Sequence, residues 1–231
     1  MKSHIAVVVI GSLLLSTSAA LGITNGQVDT FEIGGDVANW TGGNPTYSPP
    51  PAQVADGGPT GVGDGYLQIE VSGFHLGTNN EAGQWSGNYF ANNISSIEMD
   101  VARIAGPSDV SLRVVLFGPG GTWASTALAP TMSGPGWQHL SFTLDNANFT
   151  YVPGSIKVPD GTGLLTDTLA NVTEVLIRHD SLTPTIPGQH PPHITATVGI
   201  DNIAAVPEPA TLLLMAAIGL PMVLKRRRRR S

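Results

Sequence analysis

The chain of 231 residues has no cysteine, and only 6% of its residues are aromatic. Without cysteine it has no disulfide scaffold, no thiol nucleophile and no cysteine metal site. Lys and Arg total 11 residues, whereas there are 28 Gly and 18 Pro, a composition that disfavours helices and favours turns. A chain of this kind is expected to fold around one apolar core without covalent cross-links.

Basic residues are almost missing from the body of the chain, residues 21–205. Seven of the 11 are Lys2 and residues 225–230, which leaves four basic against 16 acidic residues and a net charge of −12. Such a surface cannot neutralise phosphates, so we expect no nucleic-acid partner. It is suited to neutral polymers and divalent cations, although solubility alone would explain the same charge.

Apolar residues recur at every second position in short runs bounded by Gly, Pro and Asn, which is the pattern of half-buried strands. In residues 96–102, for example, Ile97, Met99 and Val101 share one face. The clear runs are 66–71, 96–102, 110–117, 137–144, 172–179 and 195–203, and weaker ones are 28–33 and 122–127. No helical pattern separates them, so the sequence predicts an all-β fold, a two-sheet antiparallel β-sandwich of jelly-roll type.

The N-terminus has the plan of a secretory signal peptide. Lys2 precedes an apolar stretch over residues 5–15, and small residues follow at positions 16–20. We expect residues 1–20 to form a signal helix that signal peptidase removes after Ala20, with cleavage after Gly22 as the alternative. The protein is therefore predicted to be exported, with residues 21–205 as a single sandwich domain.

Residues 206–231 combine three features in a fixed order: the tripeptide Pro207-Glu208-Pro209, an apolar segment at 210–224 and a basic block at 225–230. The apolar segment would be about 22 Å long as a helix, shorter than a bilayer core of about 30 Å. The basic block should stay in the cytoplasm, which places the body outside. The pattern predicts a short C-terminal transmembrane helix, either temporary or permanent.

This tail resembles the PEP-CTERM sorting tails of Gram-negative and related bacteria, also described as an ice-binding-protein C-terminal domain. The resemblance implies recognition by an exosortase, a membrane protease. The matching positions of the sorting motif are Pro207, Glu208, Pro209, Arg226, Arg227 and Arg228. The resemblance further implies an intermediate anchored in the inner membrane and a final location at the cell surface or in the extracellular matrix.

The body is similar to galactose-binding-like jelly rolls, the fold of many carbohydrate-binding modules. The similar elements are Phe31-Glu32, Trp40 with the following Thr-Gly-Gly, Gly65-Tyr66-Leu67 and the segment at 199–203. The resemblance implies one structural calcium that ties the first strand to the last, with Glu32, Asp36 and Asp201 as ligands. Surface acids with an Asx turn are the alternative interpretation.

Aromatic residues beside Asn and Gln supply a candidate saccharide site, because a flat ring can stack on a sugar while amides bond its hydroxyl groups. The densest patch contains Gln84, Trp85, Asn88 and Tyr89, to which Trp40 is added. The alternative is that such rings close the ends of the core, as we expect of Trp137. Exopolysaccharide is the partner that this site would bind.

Enzymatic chemistry is not expected. Glu98 and Asp100 share a strand face, as in a family of jelly-roll glycosidases, but the third acid of that pattern is replaced by Arg103. His190 and His193 would lie about 9–10 Å apart in an extended proline segment, too far for one zinc. The sequence therefore favours a non-catalytic carbohydrate- or matrix-binding module. A structural matrix component without a specific ligand and a polysaccharide hydrolase are the alternatives.

Overall fold

The structure, a computed structural model, describes residues 22–42, 49–126, 131–182 and 191–208. The expected signal helix, the apolar segment and the basic block lie outside these ranges, together with Pro209 and the arginines of the sorting motif. Within the described ranges, no helix has the length and apolar character needed to cross a membrane.

Strands dominate the described residues. In chain order they are β1 (Val28–Asp29), β2 (Thr41–Gly42), β3 (Ala52–Val54), β4 (Tyr66–Phe74), β5 (Gly77–Asn80), β6 (Ile94–Ala105), β7 (Leu112–Gly118), β8 (Gly121–Ser125), β9 (Gln138–Thr143), β10 (Phe149–Tyr151), β11 (Glu174–His179) and β12 (Ile194–Pro207). A single 3-10 turn spans Gly83–Trp85, and one short helix, α1, spans Leu165–Ala170.

The strands form two antiparallel sheets. The first has the order β3-β4-β12-β6-β9, with β1 also pairing with β12, and the second has the order β10-β8-β7-β11-β5-β2. Side chains of alternating strand positions from both sheets meet in one buried apolar cluster, which includes Ile69, Met99, Leu116 and Ile200. The predicted all-β, two-sheet antiparallel fold is confirmed.

β12 is the central strand of the first sheet and contains a bulge. Asp201 pairs with Asp100 of β6, but the next pair along the strands is Ala204 with Glu98, so β12 has one residue more than its partner between these pairs. Asn202 sits in the bulge with a φ of 51°. The extra residue shifts the alternation, so that Ile200 and Ile203 both enter the core while Asp201 faces outward.

The outer faces of the two sheets differ. Residues after β10 cover the second sheet, where Val152 and Val158 pack on Val115, Phe117 and Ala124 in a small second core. The outer face of the first sheet instead presents polar side chains, among them exposed Glu70, His139 and Ser141. This open face is where the candidate site lies.

Candidate functional site

Three carboxylates from distant parts of the chain converge at one point above the first sheet. Glu32 follows β1, Asp64 precedes β4, and Asp201 lies on β12, and one oxygen from each is within 4.8 Å of the others. Such a group of negative charges is unfavourable unless a cation neutralises it. The cluster is therefore a candidate metal centre.

Asp201 gives the strongest indication that a cation binds at this point. Its side chain has 0% exposure, and neither carboxylate oxygen has a hydrogen-bond partner. The pKa of Asp201 is raised to about 6, mainly by burial and in smaller part by the charges of Asp64, Glu32 and Asp100. The nearby N–H of Asn202 lowers the pKa in part but is not in hydrogen-bonding geometry. A buried, unpartnered carboxylate is a group that a bound cation would satisfy.

Asp64 is held by the glycine loop, which we define as residues 56–64. The backbone N–H of Thr60 donates to Asp64 Oδ2 at 2.6 Å, and this bond is the main reason that the pKa of Asp64 is lowered. Gly58 N–H donates to the Asp64 carbonyl at 2.8 Å. A Cβ at Gly58 would lie 2.8 Å from the Asp64 carboxylate, so glycine is required for this close approach. The Asp64 carboxylate is therefore held in its charged form, as a metal ligand would need to be.

Glu32 is exposed and completes the group. Its Oε2 accepts a hydrogen bond from Gly65 N–H at 3.2 Å, which joins the segment after β1 to the start of β4. Three carboxylates are hard oxygen donors of the kind that calcium prefers, and the unsatisfied oxygens of Asp201 leave it free to coordinate. The residues thus fit Ca²⁺.

The predicted ligand set needs one correction. Asp36 is exposed, and its Oδ1 accepts from the N–H of Ala38 at 2.8 Å in a local turn rather than joining the carboxylate group. Asp64 takes the place expected of Asp36, because folding of the glycine loop brings it beside Glu32 and Asp201. Glu32 and Asp201 are together, as the sequence predicted.

The expected saccharide-binding rings are in the core. Trp40, Trp85 and Tyr89 have exposures of 1%, 0% and 0%. The two indole N–H groups donate to the same oxygen, Asp29 Oδ2, at 2.8 and 2.6 Å. Burial raises the pKa of Tyr89, whose hydroxyl donates to the Trp85 carbonyl at 3.0 Å. These rings have no surface to offer a sugar, because their polar atoms are satisfied inside the protein.

The amides of the same patch are engaged locally. Gln84 Nε2 donates to the Ala38 carbonyl at 2.7 Å, and Asn88 Oδ1 accepts from Ala91 N–H at 2.8 Å. Gln84 and Asn88 therefore stabilise the chain segments around the buried rings. The interpretation of this patch as a contact surface is corrected by the burial of its aromatic members.

Trp137 is the partly exposed tryptophan among the four, all of which lie in described residues. It lies on the outer face of the first sheet, where its ring centroid is 5.5 Å from that of Tyr66 at an interplanar angle of 72°. A Cβ at Gly199 would lie 2.8 Å from the Trp137 ring, so the ring rests directly on the β12 backbone. The expectation that Trp137 closes the core is therefore wrong.

Polar groups flank this ring on the same sheet face. His139 Nδ1 is 3.0 Å from Asp100 Oδ1 and its Nε2 is 3.4 Å from Glu98 Oε2, while 59% of the imidazole side chain is exposed. Ser141 Oγ donates to Glu98 Oε1 at 3.1 Å. We define the Trp137 face as Trp137, Tyr66, Gln68, Gly199, Glu98, Asp100 and His139. It combines an aromatic surface with hydrogen-bonding groups.

A surface cavity adjoins the Trp137 face. Its volume is about 300 Å³, and its lining includes the outward-facing residues Glu70, Ser72, Thr195 and Thr197. Glu70 pairs with Thr197, and the next outward pair along the strands is Gln68 with Gly199 beneath Trp137. One pleat repeat of about 7 Å separates the two pairs. The cavity and the Trp137 face therefore lie side by side on the outer face of the first sheet.

Known proteins resemble this chain in structure but not in sequence. No protein-family model matches it, and no curated protein is similar to it at a significant level. A solved family 11 carbohydrate-binding module from Clostridium thermocellum, in complex with a β-1,3-1,4-mixed-linked tetrasaccharide, has a TM-score of 0.52 at 15% identity. The match covers 80% of this chain and 98% of the module.

Agarases resemble the same part of the chain. An exo-β-agarase has a TM-score of 0.55 at 14% identity, and a second agarase has a TM-score of 0.51 at 11%. Each match covers 80% of this chain and 25% of the agarase. At these identities the likeness establishes the fold, in agreement with the jelly roll predicted from the sequence.

Proposed function

We propose that this protein is an exported, non-catalytic carbohydrate-binding module that binds a neutral polysaccharide on the Trp137 face. The observation that carries the proposal is the placement of a partly exposed tryptophan on an open sheet, flanked by His139, Asp100 and Gln68. An indole ring can stack on the apolar face of a sugar while the polar groups bond its hydroxyls. The fold-level likeness to a family 11 module supports this assignment.

A hydrolase is the less favoured function, despite the likeness to agarases. Glu98 and Asp100 both contact His139, so they are engaged with a shared partner rather than facing each other across an open cleft. The buried carboxylate with the raised pKa, Asp201, has 0% exposure and offers no surface to a glycosidic bond. The grouping of these carboxylates thus favours a cation site over hydrolysis.

We further propose that Glu32, Asp64 and Asp201 hold one structural calcium. Neutralising the three charges would tie the segment after β1 and the glycine loop to the central strand. The test is calorimetry of calcium binding to the full-length protein, with Asp201→Asn as the variant that should lose binding and Asp36→Asn as the control that should keep it.

The tail is proposed to sort the protein to the cell surface or extracellular matrix through an exosortase, with Pro207 and Glu208 at its start. Pro207 is the last residue of β12 and Glu208 is exposed, so the tail begins directly at the edge of the folded domain. In cells that express an exosortase, the protein should change in mass, and replacing residues 226–228 with alanine should prevent this. An unchanged mass in both proteins would contradict exosortase processing.

The polysaccharide proposal is tested by binding of the full-length protein to mixed-linked β-1,3-1,4-glucan, agarose and bacterial exopolysaccharides. Trp137→Ala should abolish saturable binding, whereas Phe90→Ala, which removes another exposed aromatic ring, should not. Equal binding by wild type and Trp137→Ala would place the site elsewhere. Absence of binding to every polymer by a folded sample would favour the structural matrix role.

A further inference from the structure

We propose that the metal centre controls the position of the Trp137 ring, so that calcium binding and polysaccharide binding are coupled. This inference rests on the proposed function and adds a means of regulating it. Two parts of the structure connect the two sites: the glycine loop, through hydrogen bonds, and β12, through packing contacts.

Hydrogen bonds link the residues of the glycine loop to one another, and Asp64 accepts two of these bonds from the loop backbone. Asp64 bonds Thr60 N–H through its carboxylate and Gly58 N–H through its carbonyl, at 2.6 and 2.8 Å. Gly57 N–H donates in turn to the Gly61 carbonyl at 3.2 Å, and Gly63 N–H donates to Asp56 Oδ1 at 2.6 Å. A displacement of the Asp64 carboxylate is therefore transmitted to Gly57 and Gly58.

The other end of this loop holds the Trp137 ring. Trp137 Nε1–H donates to the carbonyl of Gly57 at 3.0 Å, across 80 positions of sequence. Gly57 has a φ of 94°, a conformation that glycine adopts readily and other residues rarely do. The orientation of the Gly57 carbonyl, and with it the anchor of the indole, is thus set by the fold of the glycine loop.

Two further contacts connect the ring to the metal centre. Gly199, beneath the ring, and Asp201 lie on the same face of β12, two residues apart. Tyr66, which packs edge-on against the ring, follows Asp64 by two residues. Trp137 therefore contacts the glycine loop, β12 and β4, and each of these neighbours contains or adjoins a candidate metal ligand.

The physical basis of the coupling is charge repulsion. Without a cation, Glu32, Asp64 and Asp201 repel one another within a space of 4.8 Å. Asp201 is held on a strand, whereas Glu32 and Asp64 both lie outside the strands and can move apart from it. With the charges neutralised, Asp64 can remain beside Asp201 and hold Gly57 under Trp137. Linkage is reciprocal, so a saccharide that fixes the ring also favours the calcium-bound state.

The first experiment uses calcium alone as the probe. Calcium is titrated into the full-length protein while tryptophan emission is recorded, and calorimetry measures binding independently. We expect a saturable emission change in wild type that is absent in Trp137→Phe, which keeps a ring but has no N–H to donate. A change that persists in Trp137→Phe would come from the buried tryptophans and would overturn the coupling, as would calorimetric binding without any change in wild type.

The second experiment measures affinity for mixed-linked β-1,3-1,4-glucan in calcium and in EGTA. Coupling between sites is usually 5- to 150-fold, so affinity should fall about five-fold or more in EGTA. Asp201→Asn should bind weakly in both conditions, and Asp36→Asn should behave as wild type. Equal affinity in calcium and EGTA would refute the coupling and leave the proposed function intact. If no glucan binds even in calcium, the proposed function fails for this polymer, and the emission experiment still decides the coupling.

Discussion

Replacement of Asp201 with asparagine should stabilise the calcium-free protein and at the same time abolish its response to calcium. The wild-type side chain is fully buried, and neither of its carboxylate oxygens has a hydrogen-bond partner. Asparagine has nearly the same shape and no charge, so it removes the buried charge without leaving a cavity. The substitution should thus raise stability without calcium and remove the stabilisation by calcium. A substitution that merely disrupted the fold would not raise stability.

The size of the first effect follows from the raised pKa. A pKa of about 6 against the ordinary 3.8 means that ionised Asp201 costs the folded state about 3 kcal/mol near neutral pH. In a domain of this size, about 1 kcal/mol corresponds to about 2–4 °C in melting temperature. Asp201→Asn should therefore melt about 6–12 °C higher than wild type in EGTA at pH 7.5.

The pH dependence has a definite sign. The folded state binds the Asp201 proton more tightly than the unfolded state, so this group contributes stability below about pH 4 and loses it as the pH rises through about 6. The melting-temperature difference between Asp201→Asn and wild type in EGTA should accordingly grow between pH 4 and pH 7. With calcium at 100 times its dissociation constant, wild type should gain about 2.7 kcal/mol and the variant nothing.

Thermal unfolding by circular dichroism, in EGTA and in calcium, measures all of these quantities. Asp36→Asn is the matched control, because Asp36 is an exposed acid outside the carboxylate group, and it should change neither melting temperature. A lower melting temperature for Asp201→Asn in EGTA would refute the argument from burial. A calcium response retained by Asp201→Asn would refute the assignment of the metal centre.

Three other substitutions test separate parts of the structure. Gly199→Ala should displace the Trp137 ring and weaken glucan binding, whereas Gly136→Ala should not, because Gly136 has open space around it. Equal glucan affinities of the two variants, measured by calorimetry, would contradict the position of the ring. Asp29→Ala should lower the free energy of unfolding, measured with urea, by about 2–6 kcal/mol, because it leaves two buried indole N–H groups without their acceptor. A loss below about 1 kcal/mol would mean that water replaces the carboxylate. Asn202→Ala should destabilise by about 1 kcal/mol and Asn202→Gly by less, since the φ at this position is 51°, and the reverse order would contradict the bulge.

Alternation of apolar residues predicted the long strands because each buries one face. It did not predict β2, β3, β5 and β10, which have two to four residues each. β5, for example, has the sequence Gly-Thr-Asn-Asn, and its place in the second sheet comes from pairing with β11 rather than from its own side chains. Short polar strands of this kind are specified by their neighbours in the fold.

The candidate site was predicted only in part, for two different reasons. Asp64 lies in a glycine-rich segment without periodicity, and only the folded loop places it beside Glu32 and Asp201. Trp137, in contrast, could have been identified: Leu140, Phe142 and Leu144 define the inward face of their run, and Trp137 has the opposite parity. Trp40 and Trp85 are buried because Asp29, distant in sequence, accepts both of their N–H groups.

The position of β12 has a consequence for how the protein is made. β4 and β6 do not pair with each other in the first sheet; both pair with β12, which follows every other described strand in the chain. Until residues 194–207 are available, the two parts of that sheet are separate and their apolar faces cannot be enclosed. The first sheet should therefore be completed late in folding, once β12 is free to pair with both β4 and β6.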